Sequence, residues 1–168
     1  MRRVAARTRA YIALGANLGD PPAQLRAALH SLRAAPQLEV VAVSQLYRTP
    51  PLGPAGQPDY CNAVCAVDTS LQPEALLDLL QGIENAAGRK RDGAHWGPRL
   101  LDLDLLYMEG RASHTPRLTL PHPGLQHRAF VLVPLLEIAP ALTIPGLGAV
   151  AALAAAVDRT GVTAWGGD

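Results

Sequence analysis

The segment LLDLDLLY, residues 100–107, alternates aspartate with leucine and predicts a β-strand. Successive side chains of a strand point to opposite faces, so Asp102 and Asp104 share one face and the intervening leucines share the other. The leucine face fits a hydrophobic core. The aspartate face is unusual, because aspartate is depleted in strands and neighbouring like charges repel each other.

The segments before this strand complete the order of elements that decides the fold class. Asp20 followed by Pro21 predicts the start of a helix, and a second helix begins at Pro73 and ends at Gly88. The predicted elements are a strand at 10–15, a helix at 21–35, strands at 38–47 and 59–67, the helix from 73, and the strand at 100–107. This β-α-β-β-α-β order is the ferredoxin-like arrangement, an α+β fold with helices on one face of the sheet.

Two further helices are predicted after this core, near 127–138 and 149–158. The length of 168 residues fits a single domain, which we assign to residues 10–168. Four of the first ten residues are arginine, and we expect residues 1–9 to form a flexible basic overhang.

The composition restricts the class of protein. Hydrophobic residues make up 49% of the chain and charged residues 17%, which is typical of a globular protein and not of a disordered one. A net charge of +1 argues against a strongly basic surface for nucleic acid, and no apolar run reaches the roughly 18 residues that span a bilayer. Cys61 and Cys65 lie about 13 Å apart on a strand, too far for a disulfide, and predict reduced thiols in a cytoplasmic protein.

A divalent cation would offset the repulsion between Asp102 and Asp104. Mg²⁺ prefers a few carboxylate oxygens together with waters and substrate phosphates, so the pair is a candidate magnesium site in an enzyme that handles a nucleoside triphosphate. The alternative is a solvated edge strand that carries charge to prevent aggregation.

Two long connections, residues 48–58 and 86–99, are candidate binding loops, although a surface connector explains either one. The second carries Arg89, Arg91 and Arg99 just before the aspartate pair. Guanidinium groups bind phosphate oxygens through two hydrogen bonds, which favours phosphate binding over a solvated basic loop. The chain lacks the GxxxxGK[ST] phosphate loop, so a triphosphate would be held in another way.

Tyr60 and Asn62 share one face of the predicted strand at 59–67, and the two cysteines lie on the other. A ring beside an amide can hold a flat heterocycle by stacking and hydrogen bonds, whereas a purely structural role is the alternative. Phe130, the only phenylalanine, fits core packing by default.

Three stretches of the chain resemble one enzyme family. YRTPPLGPAGQPDYCNAV, GRKRDGAHWGPRLLDLDLLY and LTLPHPGLQHRAFVLVPLLEIAP are similar to the characteristic segments of 6-hydroxymethyl-7,8-dihydropterin pyrophosphokinase, in the family's order and spacing. The resemblance covers residues 11–145. It implies transfer of the diphosphate of ATP to the pterin's hydroxymethyl group, with release of AMP, in folate synthesis. It also implies two Mg²⁺ ions on Asp102 and Asp104.

The resemblance further implies roles for individual residues. Arg89 and Arg99 would act in catalysis with the two aspartates. Tyr60 and Phe130 would enclose the pterin ring between them. The pterin would be bound by Thr49, Pro50, Leu52, Tyr60, Asn62 and Phe130. ATP would be bound by Gln81, Glu84, Arg91, Trp96, Arg99, Leu105, Arg117, Thr119, His122 and Arg128.

Two residues depart from the family pattern: His95 stands where some members carry a basic residue, and Pro123 where some carry an aromatic one. We expect altered nucleotide affinity from both. No side chain is assigned as a general base, and we expect a monomer that binds neither nucleic acid nor membrane. The loop at 86–99 is expected to become ordered when nucleotide binds, which would appear as increased protection from hydrogen exchange.

Two other functions fit parts of the pattern. An RNA-binding module has the same βαββαβ order, but it needs exposed aromatic residues on central strands, and the chain has two tryptophans, four tyrosines and one phenylalanine in all. A different Mg²⁺-dependent transferase or nuclease would use the same aspartate pair and yield ADP or cleaved nucleic acid instead of AMP.

Overall fold

The computed structural model describes residues 6–50, 58–88 and 101–166. The helices are α1 (Pro21–Ala34), α2 (Pro73–Ala86), α3 (Ala129–Ile138) and α4 (Val150–Ala156), and a short 3₁₀ helix spans Leu125–His127. The strands are β1 (Thr8–Ala16), β2 (Leu38–Val43), β3 (Tyr47–Thr49), β4 (Tyr60–Thr69), β5 (Asp102–Met108), β6 (Ser113–His114), β7 (Thr119–Leu120), β8 (Thr143–Ile144), β9 (Gly148–Ala149) and β10 (Thr163–Ala164).

One antiparallel sheet of six strands organises the described residues, in the order β10-β3-β4-β1-β5, and β2 lies beside β3 on the same edge of β4. The helix α1 connects β1 to β2, and α2 connects β4 to β5. If β2 and β3 are taken as one interrupted strand, the order is the predicted βαββαβ. The ferredoxin-like prediction is therefore confirmed, and β5 lies beside the central strand β1.

The single strand predicted at 38–47 is wrong, because β2 ends at Val43 and β3 begins at Tyr47. Ser44 causes the interruption. Its hydroxyl accepts a hydrogen bond from the backbone N–H of Val64 at 3.0 Å and donates one to the carbonyl of Gln45 at 2.8 Å. The backbone N–H of Ser44 still donates to the carbonyl of Val64 at 2.9 Å. A serine side chain that binds backbone groups competes with the ladder, so regular strand pairing is interrupted between Val43 and Tyr47.

The first face of the sheet is covered by α1 and α2. The apolar stripe predicted for α1 is confirmed, since Leu25, Ala28, Leu29 and Leu32 are all buried. Asp20 caps this helix as predicted, with its carboxylate accepting a hydrogen bond from the N–H of Ala23 at 3.2 Å. The same layer contains Leu103 and Leu105 of β5 and both cysteines.

Cys61 and Cys65 form no disulfide, as the strand spacing predicted, and both are buried. Burial raises the pKa of the Cys65 thiol to about 12, because the apolar core disfavours the thiolate. Cys65 therefore contributes packing and not nucleophilic chemistry.

The second face is covered by α3 and α4, which pack on Tyr11, Val64 and Leu106. The helix α3 is also tied to the strand edge by Glu137, which accepts hydrogen bonds from the hydroxyl of Tyr47 at 2.5 Å and from the N–H of Gln45 at 2.9 Å. Burial, together with this bond, raises the pKa of Tyr47. The sheet thus lies between two helical layers, and the first turn of α3 lies beside the end of β4 that carries Tyr60. None of the described helices has the length and apolar character of a membrane span.

Candidate functional site

Small residues of β1 leave an open space on the second face of the sheet. In the strand register, Gly15 lies between Asn62 of β4 and Asp102 of β5. Ala13 lies opposite Asp104 in the same way. Because glycine has no side chain and alanine only a methyl group, the surface of the sheet is recessed along β1. The polar side chains on both sides consequently border a hollow.

This hollow is a cavity of about 500 Å³, within the range of about 300–1,000 Å³ that is typical of small-molecule sites. Strands form its floor, the start of α3 forms one wall, and the segment after α4 forms another. We call it the sheet cavity. Its lining residues are Ala13, Leu14, Gly15, Thr49, Pro50, Tyr60, Asn62, Asp102, Asp104, His127, Arg128, Ala129, Phe130, Val131, Asp158, Thr160 and Val162.

Asn62 is held in place on the floor of the sheet cavity. Its side-chain nitrogen donates a hydrogen bond of 2.5 Å to the hydroxyl of Thr49, and both residues are only 6% exposed. Its carbonyl oxygen lies over Gly15, since a Cβ built on Gly15 would be 3.0 Å from that oxygen. An amide has two N–H donors and a carbonyl acceptor, so Asn62 retains capacity to bind the edge of a heterocycle.

Asp102 and Asp104 are half-buried and both line the sheet cavity, while Leu103 and Leu105 are buried on the opposite face. The predicted division of this strand into a leucine face and an aspartate face is therefore confirmed. Two carboxylates that face open space suit a hard cation such as Mg²⁺, which commonly uses one or two carboxylates plus water and phosphate oxygens. The described residues contain no group of three or more His, Cys, Asp or Glu side chains placed to hold a metal.

A second cavity, of about 280 Å³, lies beside β5 where α2 and the segment before the 3₁₀ helix approach it. We call it the edge cavity. Its lining residues are Leu77, Leu103, Asp104, Leu105, Pro116, Arg117, Leu118, Thr119, His122 and Pro123. Asp104 lines both cavities, so the sheet cavity and the edge cavity meet at its position.

Arg117 is anchored beside the edge cavity by side chains of α2. Its guanidinium donates hydrogen bonds to Asp78 and, at 3.4 Å, to Gln81, and it lies 3.9 Å from a carboxylate oxygen of Glu74. These contacts are exposed and contribute little to stability. They do fix the direction of the guanidinium, and they bring Gln81 next to one of the lining residues.

Glu84 supports the strand that carries the aspartates. It is 5% exposed, and its carboxylate accepts a hydrogen bond of 2.8 Å from the N–H of Leu103, the residue between Asp102 and Asp104. This contact fixes the outer edge of β5. The nucleotide role implied for Glu84 by resemblance stays a prediction.

His122 contributes a polar ring nitrogen to the edge cavity. Its backbone N–H donates to the carbonyl of Leu106 at 2.8 Å, whereas its ring Nδ1 is buried without a hydrogen-bond partner among the described residues. Buried polar atoms are nearly always paired. A bound ligand with a complementary group would satisfy this nitrogen.

The structure brings together most of the described residues that resemblance implied. Five of the six pterin residues line the sheet cavity, and four of the nucleotide residues, Leu105, Arg117, Thr119 and His122, line the edge cavity. Arg128 lies in the sheet cavity instead, with its guanidinium 5.9 Å from the centre of the Phe130 ring. Leu52, Arg89, Arg91, His95, Trp96 and Arg99, and the loop expected to become ordered, lie outside the described residues.

Sequence reasoning missed several lining residues. Gly15 gave a usable signal, because a glycine inside a strand often marks a close approach of another group. His127, Asp158, Thr160 and Val162 gave none, since they reach the sheet cavity only through the packing of distant segments.

Comparison with known proteins decides the family. The sequence profile of 7,8-dihydro-6-hydroxymethylpterin-pyrophosphokinase (HPPK) matches residues 11–140. The chain belongs to this family. A curated relative from Pseudomonas aeruginosa, named 2-amino-4-hydroxy-6-hydroxymethyldihydropteridine pyrophosphokinase, is 51% identical over 137 residues, which is 82% of this chain and 84% of the relative. A relative of the same name from Bacillus subtilis is 40% identical over 156 residues, covering 93% and 89% of the two chains.

A solved structure supports the fold of this HPPK family member. The crystal structure of Plasmodium falciparum HPPK-DHPS wild type with pteroate has a TM-score of 0.73 to it at 13% sequence identity. The match covers 92% of this chain and 43% of that one, so this chain corresponds to less than half of the larger protein. At this identity the likeness shows the ferredoxin-like fold alone.

The family prediction made from the three sequence stretches is confirmed. The chain is accordingly an ATP-dependent pyrophosphokinase that acts on a hydroxymethyldihydropterin in folate biosynthesis. The RNA-binding alternative is not favoured by any of these matches.

Proposed function

We propose that the pterin occupies the sheet cavity, that ATP occupies the edge cavity, and that the diphosphate is transferred where the two cavities meet. The observation that carries this proposal is the position of Asp104, which lines both cavities. Transfer between two bound substrates needs the reacting atoms to be close and aligned. Two adjoining cavities with one acidic residue at their junction meet that need.

The sheet cavity fits a flat, polar heterocycle. Tyr60 and Phe130 supply aromatic surface, and the amide of Asn62, fixed by Thr49, supplies hydrogen bonds to the ring edge. This combination of apolar walls and few directed polar groups is typical of small-molecule sites. It would hold the pterin with its hydroxymethyl group toward the aspartates.

The edge cavity fits a nucleotide. Arg117 offers a guanidinium for phosphate or ribose oxygens, and His122 offers a ring nitrogen that no described residue pairs. Leu105 and Leu118 contribute apolar surface for a base. We assign Gln81 and Glu84 to the nucleotide side as well, because they lie next to Arg117 and Leu103.

Asp102 and Asp104 would hold two Mg²⁺ ions, which when bound neutralise phosphate charge and stabilise the entering and leaving oxygens. The chain itself supplies position and a closed environment. Glu84 fixes β5, the small residues of β1 leave room beside the aspartates, and Asn62 orients the acceptor. With no side chain assigned as a general base, we attribute the rate to positioning and electrostatics.

We also propose that the protein works as a monomer in the cytoplasm and without nucleic acid. Two buried thiols that form no disulfide fit a reducing compartment, and a net charge of +1 gives no general attraction for nucleic acid.

The test is incubation of the purified chain with ATP, Mg²⁺ and 6-hydroxymethyl-7,8-dihydropterin, with separation of the nucleotide products. We expect AMP to form in amounts equal to the pterin consumed, and to disappear when pterin is omitted or Mg²⁺ is chelated. ADP as the main product would indicate a simple kinase. AMP at the level of the control without pterin would refute the proposal.

Phe130→Ala is expected to weaken pterin binding about 10- to 100-fold, since loss of an aromatic side chain that the bound ring would cover removes about 1.5–3 kcal/mol. Titration of the pterin in the presence of an ATP analogue and Mg²⁺ would measure this. The control is Leu136→Ala, which removes a partly buried core side chain from the same helix, outside the cavity lining. It should lower the melting temperature while the pterin Kd stays near the wild-type value. Equal pterin Kd values in both variants would contradict a pterin role for Phe130.

A further inference from the structure

The segment after α4 enters the sheet cavity although it lies beyond the family match, which ends at residue 140. Asp158, Thr160 and Val162 all line the cavity. We call residues 158–162 the C-terminal turn. Its side chains offer a carboxylate, a hydroxyl and an apolar surface, a combination that suits a heterocycle carrying N–H donors.

The C-terminal turn is fixed by bonds of its own. The carboxylate of Asp158 accepts a hydrogen bond of 2.9 Å from the N–H of Thr160, and the N–H of Val162 donates to the carbonyl of Arg159 at 3.1 Å. The bonds from Thr160 also lower the pKa of Asp158, so this carboxylate stays charged at neutral pH. A turn held in this way presents a defined surface and not a frayed end.

The residues that follow the turn attach it to the sheet. The strand β10 pairs with β3, opposing Thr163 to Arg48. The N–H of Trp165 donates to the carbonyl of Leu46 at 2.9 Å, and the guanidinium of Arg48 lies 3.9 Å from the centre of the Trp165 ring. A cation over an indole ring at this distance is an attractive contact.

Gly161 packs the turn directly against the pterin side of the cavity. A Cβ built on Gly161 would lie 3.1 Å from both Cγ and Cδ of Pro50. Pro50 follows Thr49, whose hydroxyl holds the amide of Asn62. The C-terminal turn therefore braces the segment that orients Asn62, in addition to forming a wall.

We infer that the C-terminal turn is part of the pterin site and determines pterin affinity. It does so by closing one side of the sheet cavity and by holding Pro50 and Thr49 against Asn62. This inference rests on the proposed function, since it takes the sheet cavity as the pterin site. It assigns a role in pterin affinity to residues that the family match does not include.

The test compares two glycine substitutions that carry the same backbone cost. Gly161 has φ +87° and Gly146, in the β8–β9 turn, has φ +84°, so alanine is strained at both. A Cβ at Gly146 meets nothing within 4 Å, whereas a Cβ at Gly161 meets Pro50. We expect Gly161→Ala to weaken pterin binding roughly tenfold, as a displaced pocket wall does, and Gly146→Ala to leave the pterin Kd unchanged.

A second variant, Val162→Ala, removes apolar surface from the wall that the C-terminal turn forms. It tests the role of the turn in pterin affinity even if Gly161→Ala fails to fold. We expect a rise in the pterin Kd of roughly tenfold, with the Kd of an ATP analogue unchanged in both variants. Wild-type pterin affinity in the folded variants would overturn the inference. A wild-type protein that neither binds pterin nor forms AMP would instead refute the proposed function.

Discussion

Replacing Asp104 with asparagine is expected to lower AMP formation by at least about a hundredfold, because the junction of the two cavities loses its negative charge. Among the described residues, Asp104 alone lines both the sheet cavity and the edge cavity. Asparagine keeps the shape of the side chain and binds Mg²⁺ much less well than a carboxylate does. Initial rates across a Mg²⁺ titration, at saturating ATP and pterin, would measure the effect.

The matched control is Asp68→Asn in β4. Asp68 pairs with Arg9 at 2.5 Å at the other end of the sheet, where both side chains are partly exposed. Breaking such a pair is expected to cost about 1 kcal/mol or less and to leave the rate of AMP formation unchanged. Thermal unfolding of both variants would show that Asp104→Asn keeps the fold. Normal turnover of Asp104→Asn, with an unaltered dependence on Mg²⁺, would remove the central role assigned to this residue.

Strand alternation was sufficient to predict the local geometry of the site. The side chains of Asp102 and Asp104 share a face because the period of a strand is two residues, and the same rule places Tyr60 beside Asn62. The rule needs only that each segment is a strand. It holds independently of how the strands are arranged, which is why these predictions were confirmed.

The arrangement of the segments was less accessible to sequence reasoning. The interruption at Ser44 depends on a hydrogen bond to Val64, twenty residues away, which no local pattern of β-branched residues reveals. The helix α3 is likewise joined to the strand edge by Glu137, which binds Tyr47 and Gln45, 90 and 92 residues earlier in the chain. Contacts between distant residues of this kind determine which segments of the chain line the sheet cavity.

Resemblance supplied residue identities, and the structure adds where each described residue lies. It placed Arg128 along the nucleotide, whereas the structure has Arg128 in the lining of the sheet cavity, near Phe130. Glu84, implied as a nucleotide contact, is buried and supports β5 through Leu103. Gly15 received no role at all, because the importance of a missing side chain becomes visible only when its neighbours are in place.

Gly15→Ala is expected to weaken pterin binding roughly 10- to 100-fold, the range set by disrupting one buried polar contact of about 1–3 kcal/mol. The backbone of Gly15 is not in the left-handed region, so the requirement for glycine is one of space. The added Cβ would lie 3.0 Å from the carbonyl oxygen of Asn62, tighter than ordinary contact. Asn62 must then shift by a few tenths of an ångström, which we expect to weaken its bond to Thr49 and to turn the amide away from the pterin. No atom of Asp102 lies within 4 Å of this added Cβ, so nucleotide binding is expected to be retained.

A glycine with free space around it provides the control. Gly82→Ala lies on the exposed side of α2, where a Cβ meets nothing within 4 Å. It is expected to raise the free energy of unfolding by about 0.5–1 kcal/mol, as alanine does inside a helix, and to leave pterin binding unchanged.

A double-mutant cycle with Asn62→Ala shows whether Gly15 acts through Asn62. If it does, Gly15→Ala has little further effect on the pterin Kd once the amide is absent, and the two single effects are far from additive. Full additivity would mean that Gly15 acts on the pterin by another route, for example by direct contact with the ring. The cycle therefore separates a positioning role for Gly15 from a role in the cavity floor alone, and it does so with pterin titration as the only measurement.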